Sequence, residues 1–131
     1  MTETNDTALI EKAVWLYLNG QNNRDHTLVE QAWHKDCHMF GLNDKQEIVT
    51  YPLSIWKEWF SKPSDDPDAK IKSEILSMDI YKTAANVKVR TVIDGSKGTI
   101  IWTDYLNLLK VADDEWRIIN KIYHTDFTPK P

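Results

Sequence analysis

Only one cysteine, Cys37, occurs in the 131 residues. An internal disulfide is therefore excluded, and a reducing compartment is the expected setting. Glycine is also scarce: Gly20, Gly41, Gly95 and Gly98 stand apart from one another as turn residues. The chain has no phosphate-cradling loop, no Gly-x-Ser-x-Gly elbow and no paired Cys-x-x-Cys, which argues against nucleotide hydrolysis, serine hydrolysis and structural zinc. Lysine and arginine form no block, and the net charge is −4, so the clustered basic footprint of a nucleic-acid surface is missing. No stretch approaches the roughly 20 apolar residues of a membrane helix. The opening Met1-Thr2-Glu3-Thr4-Asn5-Asp6 is polar and acidic, with no apolar segment behind it. Residues 1–6 are expected to be disordered or extended, and the cytoplasm is the expected location.

What the chain has is aromatic mass. Hydrophobic residues make up 41% and charged residues 27%, which suits a globular protein, and six tryptophans point to a large aromatic core or an aromatic-lined cavity. The length fits one domain, spanning residues 7–127 with a tail at 128–131.

Two periodicities divide this domain. From Thr7 to Asn22, Ile10, Ala13, Val14, Tyr17 and Leu18 share one helical face. Asp25 is placed to cap a second helix carrying Leu28, Val29, Ala32 and Trp33. Cys37 to Gly41 reads as a short strand, Asn43-Asp44-Lys45 as a turn, and Glu47 to Thr50 as its partner. Pro52 fits the first turn of a third helix whose buried face is Ile55, Trp56, Trp59 and Phe60. The Pro- and Asp-rich run from Ser61 to Asp68 is a loop by composition. From Lys70 the period becomes two, giving strands at Lys70–Tyr81, Ala84–Asp94, Gly98–Val111 and Glu115–Thr125. Helices first and a meander of long strands afterwards define an α+β fold, with three helices packed on a strongly curved antiparallel sheet.

Folding the meander at its turns assigns side chains to faces. Leu76, Met78, Ile80, Val87, Val89 and Thr91 are expected to meet the helices, with Thr103, Tyr105, Asn107, Leu109, Trp116, Ile118, Asn120, Ile122 and His124. Asp79, Lys88, Arg90, Trp102, Asp104, Leu106, Leu108, Lys110, Arg117, Ile119, Lys121 and Tyr123 then lie outside. A slip of one residue would exchange the sets. On this reading Tyr105, Asn107, Asn120 and His124 are polar groups in an apolar interior. They either satisfy one another in a filled core or, with Tyr17, His38, Trp56 and Trp59, line a small-molecule site. Trp102, Leu106, Leu108, Ile119 and Tyr123 would form an outer apolar patch, expected to make a homodimer through the back of the sheet. Asp104 and Lys121 read as a surface or interface ion pair.

Two smaller constellations are weaker. His34 and His38 stand four apart, but Asp36 and Cys37 fall where a helix should already have ended, so no metal site is expected. Cys37 reads as a small buried hydrophobe rather than a nucleophile, and no cofactor is expected.

The segment Asp104-Tyr105-Leu106-Asn107-Leu108-Leu109-Lys110, followed by Trp116-Arg117-Ile118-Ile119-Asn120-Lys121, resembles the signature of the putative lumazine-binding family of the nuclear transport factor 2-like superfamily. Tyr17-Leu18-Asn19-Gly20, Trp33-His34-Lys35-Asp36 and Ile75-Leu76-Ser77-Met78-Asp79-Ile80 before Ala85 are similar to the family pattern too. The resemblance runs from Thr7 to Phe127. It implies a cone-shaped α+β fold in which helices and a concave sheet enclose a pocket, often in a homodimer. The superfamily includes isomerases, polyketide cyclases, dehydratases and non-catalytic binding or adaptor domains, so three functions are open. The first is a binding protein for an unknown small molecule. The second is an isomerase-, cyclase- or dehydratase-type enzyme with His38 or His124 as base and Tyr17 or Tyr105 stabilising an enolate. The third is a protein-interaction domain whose cone is filled by its own side chains. No catalytic motif of the superfamily is matched residue by residue.

Overall fold

The stripe of Ile10, Ala13, Val14, Tyr17 and Leu18 becomes the buried face of helix α1 (Thr2–Asn22). The computed structural model describes residues 2–131, with side chains from Asn5 onward. The helix begins earlier than the sequence pattern indicated, so the residues expected to be disordered or extended are helical from Thr2, and Met1 lies outside the described residues. The reason is a long-range anchor. Asp6 is 5% exposed and accepts from Trp116 Nε1 at 3.1 Å, and Lys110 Nζ lies 3.1 Å from the same carboxylate.

Two residues past the end of α1 the chain turns at a left-handed residue, Arg24 (φ 55°), with Asp25 N donating to Gly20 O at 2.8 Å and Arg24 N to Gln21 O at 3.4 Å. This is the paired closure that satisfies the last carbonyls of a helix. Asp25 then caps α2 (His26–Ala32) by accepting from Thr27 N at 3.0 Å. A Cβ at Gly20 would lie 2.9 Å from Val29 N, so glycine there lets α1 and α2 touch.

Strand β1 (Trp33–Leu42) starts at Trp33, which therefore belongs to the sheet and not to the second helix. Strand β2 (Ile48–Pro52) includes Pro52, so the proline ends a strand rather than opening α3 (Ile55–Phe60). The other strands are β3 (Lys70–Tyr81), β4 (Ala84–Asp94), β5 (Gly98–Ala112) and β6 (Glu115–Pro129). The supposed tail is partly sheet, because Thr128 and Pro129 pair with Thr99 and Gly98.

Sheet order is β2-β1-β6-β5-β4-β3. Every neighbouring pair is antiparallel except β1 and β6, which run parallel. This α+β arrangement of three helices on a six-stranded curved sheet is the expected fold. Irregularities bend the long strands: Leu76 is extra on β3, Val111 on β5 and Ile119 on β6, opposite continuous partner strands.

These bulges, together with one turn, correct the expected facing. Asp94 pairs with Thr99, which sets Val87 opposite Leu106, Val89 opposite Asp104 and Thr91 opposite Trp102. Thus Trp102, Asp104, Leu106 and Leu108 face the helices, while Thr103, Tyr105, Asn107 and Leu109 take the convex side. Leu106 and Leu108 are 0% and 1% exposed and belong to the core, not to an outer patch. On β6, Trp116 and Ile118 point inward as expected. The extra Ile119 then reverses the phase, sending Asn120, Ile122 and His124 outward and Lys121 and Tyr123 inward. Leu76, at its own bulge, is also exposed.

Candidate functional site

A cavity of about 730 Å³ lies between the concave sheet, the end of α1, α3 and the loop that follows α3. Apolar groups dominate its wall: Met39, Tyr51, Trp56, Trp59, Phe60, Ile71, Ile93, Ile100, Trp102 and Tyr123. Tyr17 and Trp33 lie behind the wall and pack edge-on against Trp56, the three ring centroids 5.6–5.9 Å apart, and Trp56 meets Trp59 at 5.4 Å. The tryptophans thus supply both things their number suggested. Trp33 and Trp116 are core, Trp59 and Trp102 are wall, and Trp56 is both.

The rim is tied by Arg24. Its guanidinium donates to Trp59 O at 3.2 Å and to Lys62 O, and it lies 5.2 Å from the centre of the Phe60 ring. A non-glycine residue in left-handed backbone is uncommon, and here it swings the arginine from the end of α1 onto the end of α3.

The inner end of the cavity is polar and deeply buried. Lys121 Nζ donates to Tyr17 Oη at 2.6 Å and lies 3.3 Å from Asp104 Oδ2, with the Lys121 and Asp104 side chains 5% and 1% exposed. Tyr17 Oη lies 3.1 Å from Asp104 Oδ2 and 2.9 Å from Gln21 Oε1; its single proton serves one of them at a time. The ammonium also sits 5.2–5.4 Å from the ring centres of Tyr17, Trp56 and Tyr123, a cation–π environment. Burial pulls the lysine below its usual pKa, with Asp104 opposing. Burial first, and then the Asp104 charge, hold the Tyr17 phenol protonated far above its usual range. Burial also pushes the Cys37 thiol up to about 12.

Among the described residues, Asp104 Oδ1 is buried and has no hydrogen-bond partner, and the same is true of Trp56 Nε1 and Trp33 Nε1. A neighbouring polar cluster is internally bonded by comparison. Gln21, Asn22, Ser73 and Thr91 bond one another at 2.6–3.4 Å.

Of the residues proposed from sequence for a ligand site, Trp56 and Trp59 line the cavity, and Tyr17 lies behind its polar end. His38, Tyr105, Asn107, Asn120 and His124 do not. Met39, which follows His38 on β1, faces the cavity, so strand alternation turns His38 away, and its Nδ1 pairs with Asp36 O at 2.9 Å. The others were displaced by the turn and bulge described above. Asn107 and Asn120 instead form a ladder on the convex face, Asn86 to Asn107 to Asn120, each bond 2.8 Å. His124 is exposed and pairs with Asp126 at 3.1 Å. Of the supposed dimer residues, Trp102 and Tyr123 line the cavity and Leu106 and Leu108 fill the core, leaving only Ile119 on the convex side.

The residues that sequence reasoning missed are Asp104 and Lys121. Their pairing was legible, but their burial was not, because charge normally signals the solvent face. Among the described residues, no group of three or more His, Cys, Asp or Glu comes together as a metal site would require. No helix among them is long and apolar enough to cross a membrane.

The profile of the family described as putative lumazine-binding matches residues 5–124. No curated protein matches. Among solved structures, an NTF2-like protein of unknown function from Shewanella baltica OS155 is similar at 26% identity, covering 96% of this chain and 98% of that one, with a TM-score of 0.81. A ketosteroid isomerase-like protein from Erwinia carotovora atroseptica SCRI1043 is 18% identical over 90% of this chain and 94% of that one, TM-score 0.69. The hexachlorocyclohexane dehydrochlorinase LinA-type3 from Novosphingobium barchaimii LL02 is 14% identical over 98% and 92%, TM-score 0.75. The last two share the fold alone. With a matching profile over nearly its full length and a cone that superimposes on NTF2-like structures, the chain belongs to the putative lumazine-binding family of the NTF2-like superfamily.

Proposed function

We propose that this chain binds a small molecule, with rings or other apolar bulk against the aromatic wall and one polar end against Asp104 and Lys121. The observation that carries the reading is the unpartnered Asp104 Oδ1 at the inner end of a cavity of about 730 Å³. A buried carboxylate oxygen without a donor costs free energy, about 1–3 kcal/mol or more for a charged group, and a ligand donor would recover it. The volume falls within the usual range for such sites, roughly 300–1,000 Å³.

Titrating the protein with 8-anilinonaphthalene-1-sulfonate and with lumazine, while reading tryptophan emission, tests this. Saturable quenching that weakens in Trp102→Ala supports it. No saturable binding of either probe, and no molecule retained in native mass spectrometry of protein from its own source, would sink it. The enzymatic alternative loses its proposed bases, since His38 and His124 face away from the cavity. Any proton transfer there would fall to Asp104 or Lys121.

The homodimer proposal moves to different residues. Phe40, Ile122 and Tyr105 are register neighbours on β1, β6 and β5, 36–52% exposed, in a row beside the asparagine ladder. A two-fold contact across this row would cover them, and Ile122→Glu should then yield monomers by light scattering. A lone, buried cysteine, Cys37, is in keeping with a reducing compartment, and the cytoplasm is our proposed location.

A further inference from the structure

We infer that the loop 62–68 is a lid over the outer end of the cavity, latched by Asp66 on Ser96, and that a ligand enters and leaves only when this latch opens. This rests on the cavity being a ligand site, as proposed above, and adds the control of access to it. Ser64, Asp65, Asp66 and Pro67 line the cavity, as do Ile93 and Ile100 at the ends of β4 and β5 next to the 95–98 turn. Trp102 and Asp104 follow Ile100 on the inward side of β5. At roughly 3.4 Å per residue, Asp104 lies about 14 Å along the strand from Ile100. A loop held at Ser96 therefore covers the end remote from Asp104 and Lys121.

Three residues build the latch. Asp66 Oδ2 accepts from Ser96 N at 2.7 Å and from Ser96 Oγ at 3.1 Å. Gly95 leaves room for that oxygen, because a Cβ there would collide with Asp66 Oδ2. At the other stem Arg24 holds Lys62 O, and the chain is taken up again by β3 at Lys70. Among the described residues, no other hydrogen bond or ion pair ties 62–68 to an element beyond α3; Asp66 N to Ser64 Oγ and Ala69 N to Asp66 O are local. Every residue of the loop is at least partly exposed. A segment with so few buried contacts opens locally long before the sheet does. The Asp66 bonds are themselves exposed, so water takes their place on opening and the latch is reversible.

Gly95→Ala and Ser96→Ala test this, since neither residue lines the cavity. The first displaces the Asp66 carboxylate, the far end of a flexible side chain, and the second removes one of its two bonds. Stopped-flow fluorescence, with whichever of 8-anilinonaphthalene-1-sulfonate and lumazine binds, reads the association and dissociation rates, and circular dichroism checks folding. In Gly95→Ala both rates should rise by about tenfold or more, the worth of one hydrogen bond to a charged group. Because one opening step governs entry and exit alike, Kd should stay within about twofold. Ser96→Ala should raise both rates by a smaller factor, and it decides alone if Gly95→Ala does not fold. Without any ligand, NMR hydrogen exchange should show the Ser96 amide losing protection in Gly95→Ala while the amides of β5 keep theirs. Saturable binding with unchanged rates in both variants overturns the lid and leaves the cavity a ligand site. So does a change in Kd carried by dissociation alone, which would make the loop a fixed wall. Failure of both probes to bind, with no molecule retained in native mass spectrometry, overturns the lid and the ligand site together.

Discussion

Replacing the buried ion pair by hydrocarbon isolates what it does for stability. At 3.3 Å and an effective dielectric constant of about 20, the Asp104–Lys121 attraction is on the order of 5 kcal/mol. Stripping water from each ion costs several kcal/mol, so the net contribution of the pair is close to zero. Asp104→Leu removes the attraction but leaves Lys121, whose side chain is 5% exposed, among three aromatic rings. That variant should lose about 3–5 kcal/mol in urea unfolding, a large part of the roughly 5–15 kcal/mol available to a domain. Its loss should shrink as pH rises. With Asp104 gone, burial acts on the lysine with only Cys37 opposing it, and depresses its folded-state pKa further below the 10.5 of the unfolded chain. Between those two values the unfolded chain binds more protons, and stability therefore climbs with pH. Asp104→Leu with Lys121→Met should return to within about 1 kcal/mol of wild type or exceed it. A single-variant cost below about 1 kcal/mol would mean that the pair behaves like an exposed one, and the buried polar end would be refuted.

Other consequences are smaller. Cys37, with its thiol pushed up to about 12 and no exposed surface, should resist iodoacetamide at pH 8 and react only after unfolding, as peptide mass spectrometry would show. Asp6 has a lowered pKa through the Trp116 hydrogen bond and Lys110, so its stabilising contribution is present above the ordinary 3.8 and lost as pH falls through its folded value. Asp6→Asn should therefore lower Tm at pH 7 and flatten the acid limb of stability. At Gly41 a Cβ would fall 2.7 Å from Cε2 of Tyr123, so Gly41→Ala must move that ring from the cavity wall. A stability loss of about 1–3 kcal/mol and weaker dye binding are expected.

Element types were legible because they depend on local chemistry. The stripe on α1, the Asp25 cap and the limits of β3 and β4 follow from spacing and turn residues alone. Facing was not, because β5 is apolar in both phases: Trp102, Leu106 and Leu108 alternate with Ile101, Tyr105 and Leu109. Such a strand carries no pattern to choose its inner side, and the choice passes to the length of the 95–98 turn. Alternation with Lys88 and Arg90 made β4 unambiguous. The early start of α1 was invisible for another reason, since Asp6 is fixed by Lys110 and Trp116, more than a hundred residues away.

The bulge at Ile119 joins the register to the site. Up to Ile118, β6 is an ordinary core strand, with Trp116 and Ile118 inward. With uninterrupted alternation, Asn120 and Ile122 would come next on that side and Lys121 would point to solvent. Asp104, fixed inward by its pairing with Val89, would then be a buried charge without a counter-ion. Skipping one residue brings Lys121 under Asp104 and within reach of Tyr17 Oη, and carries Tyr123 onto the wall. The fold therefore accommodates a carboxylate on β5 only through an irregularity on β6. That same irregularity converts the end of a core strand into the polar end of a cavity.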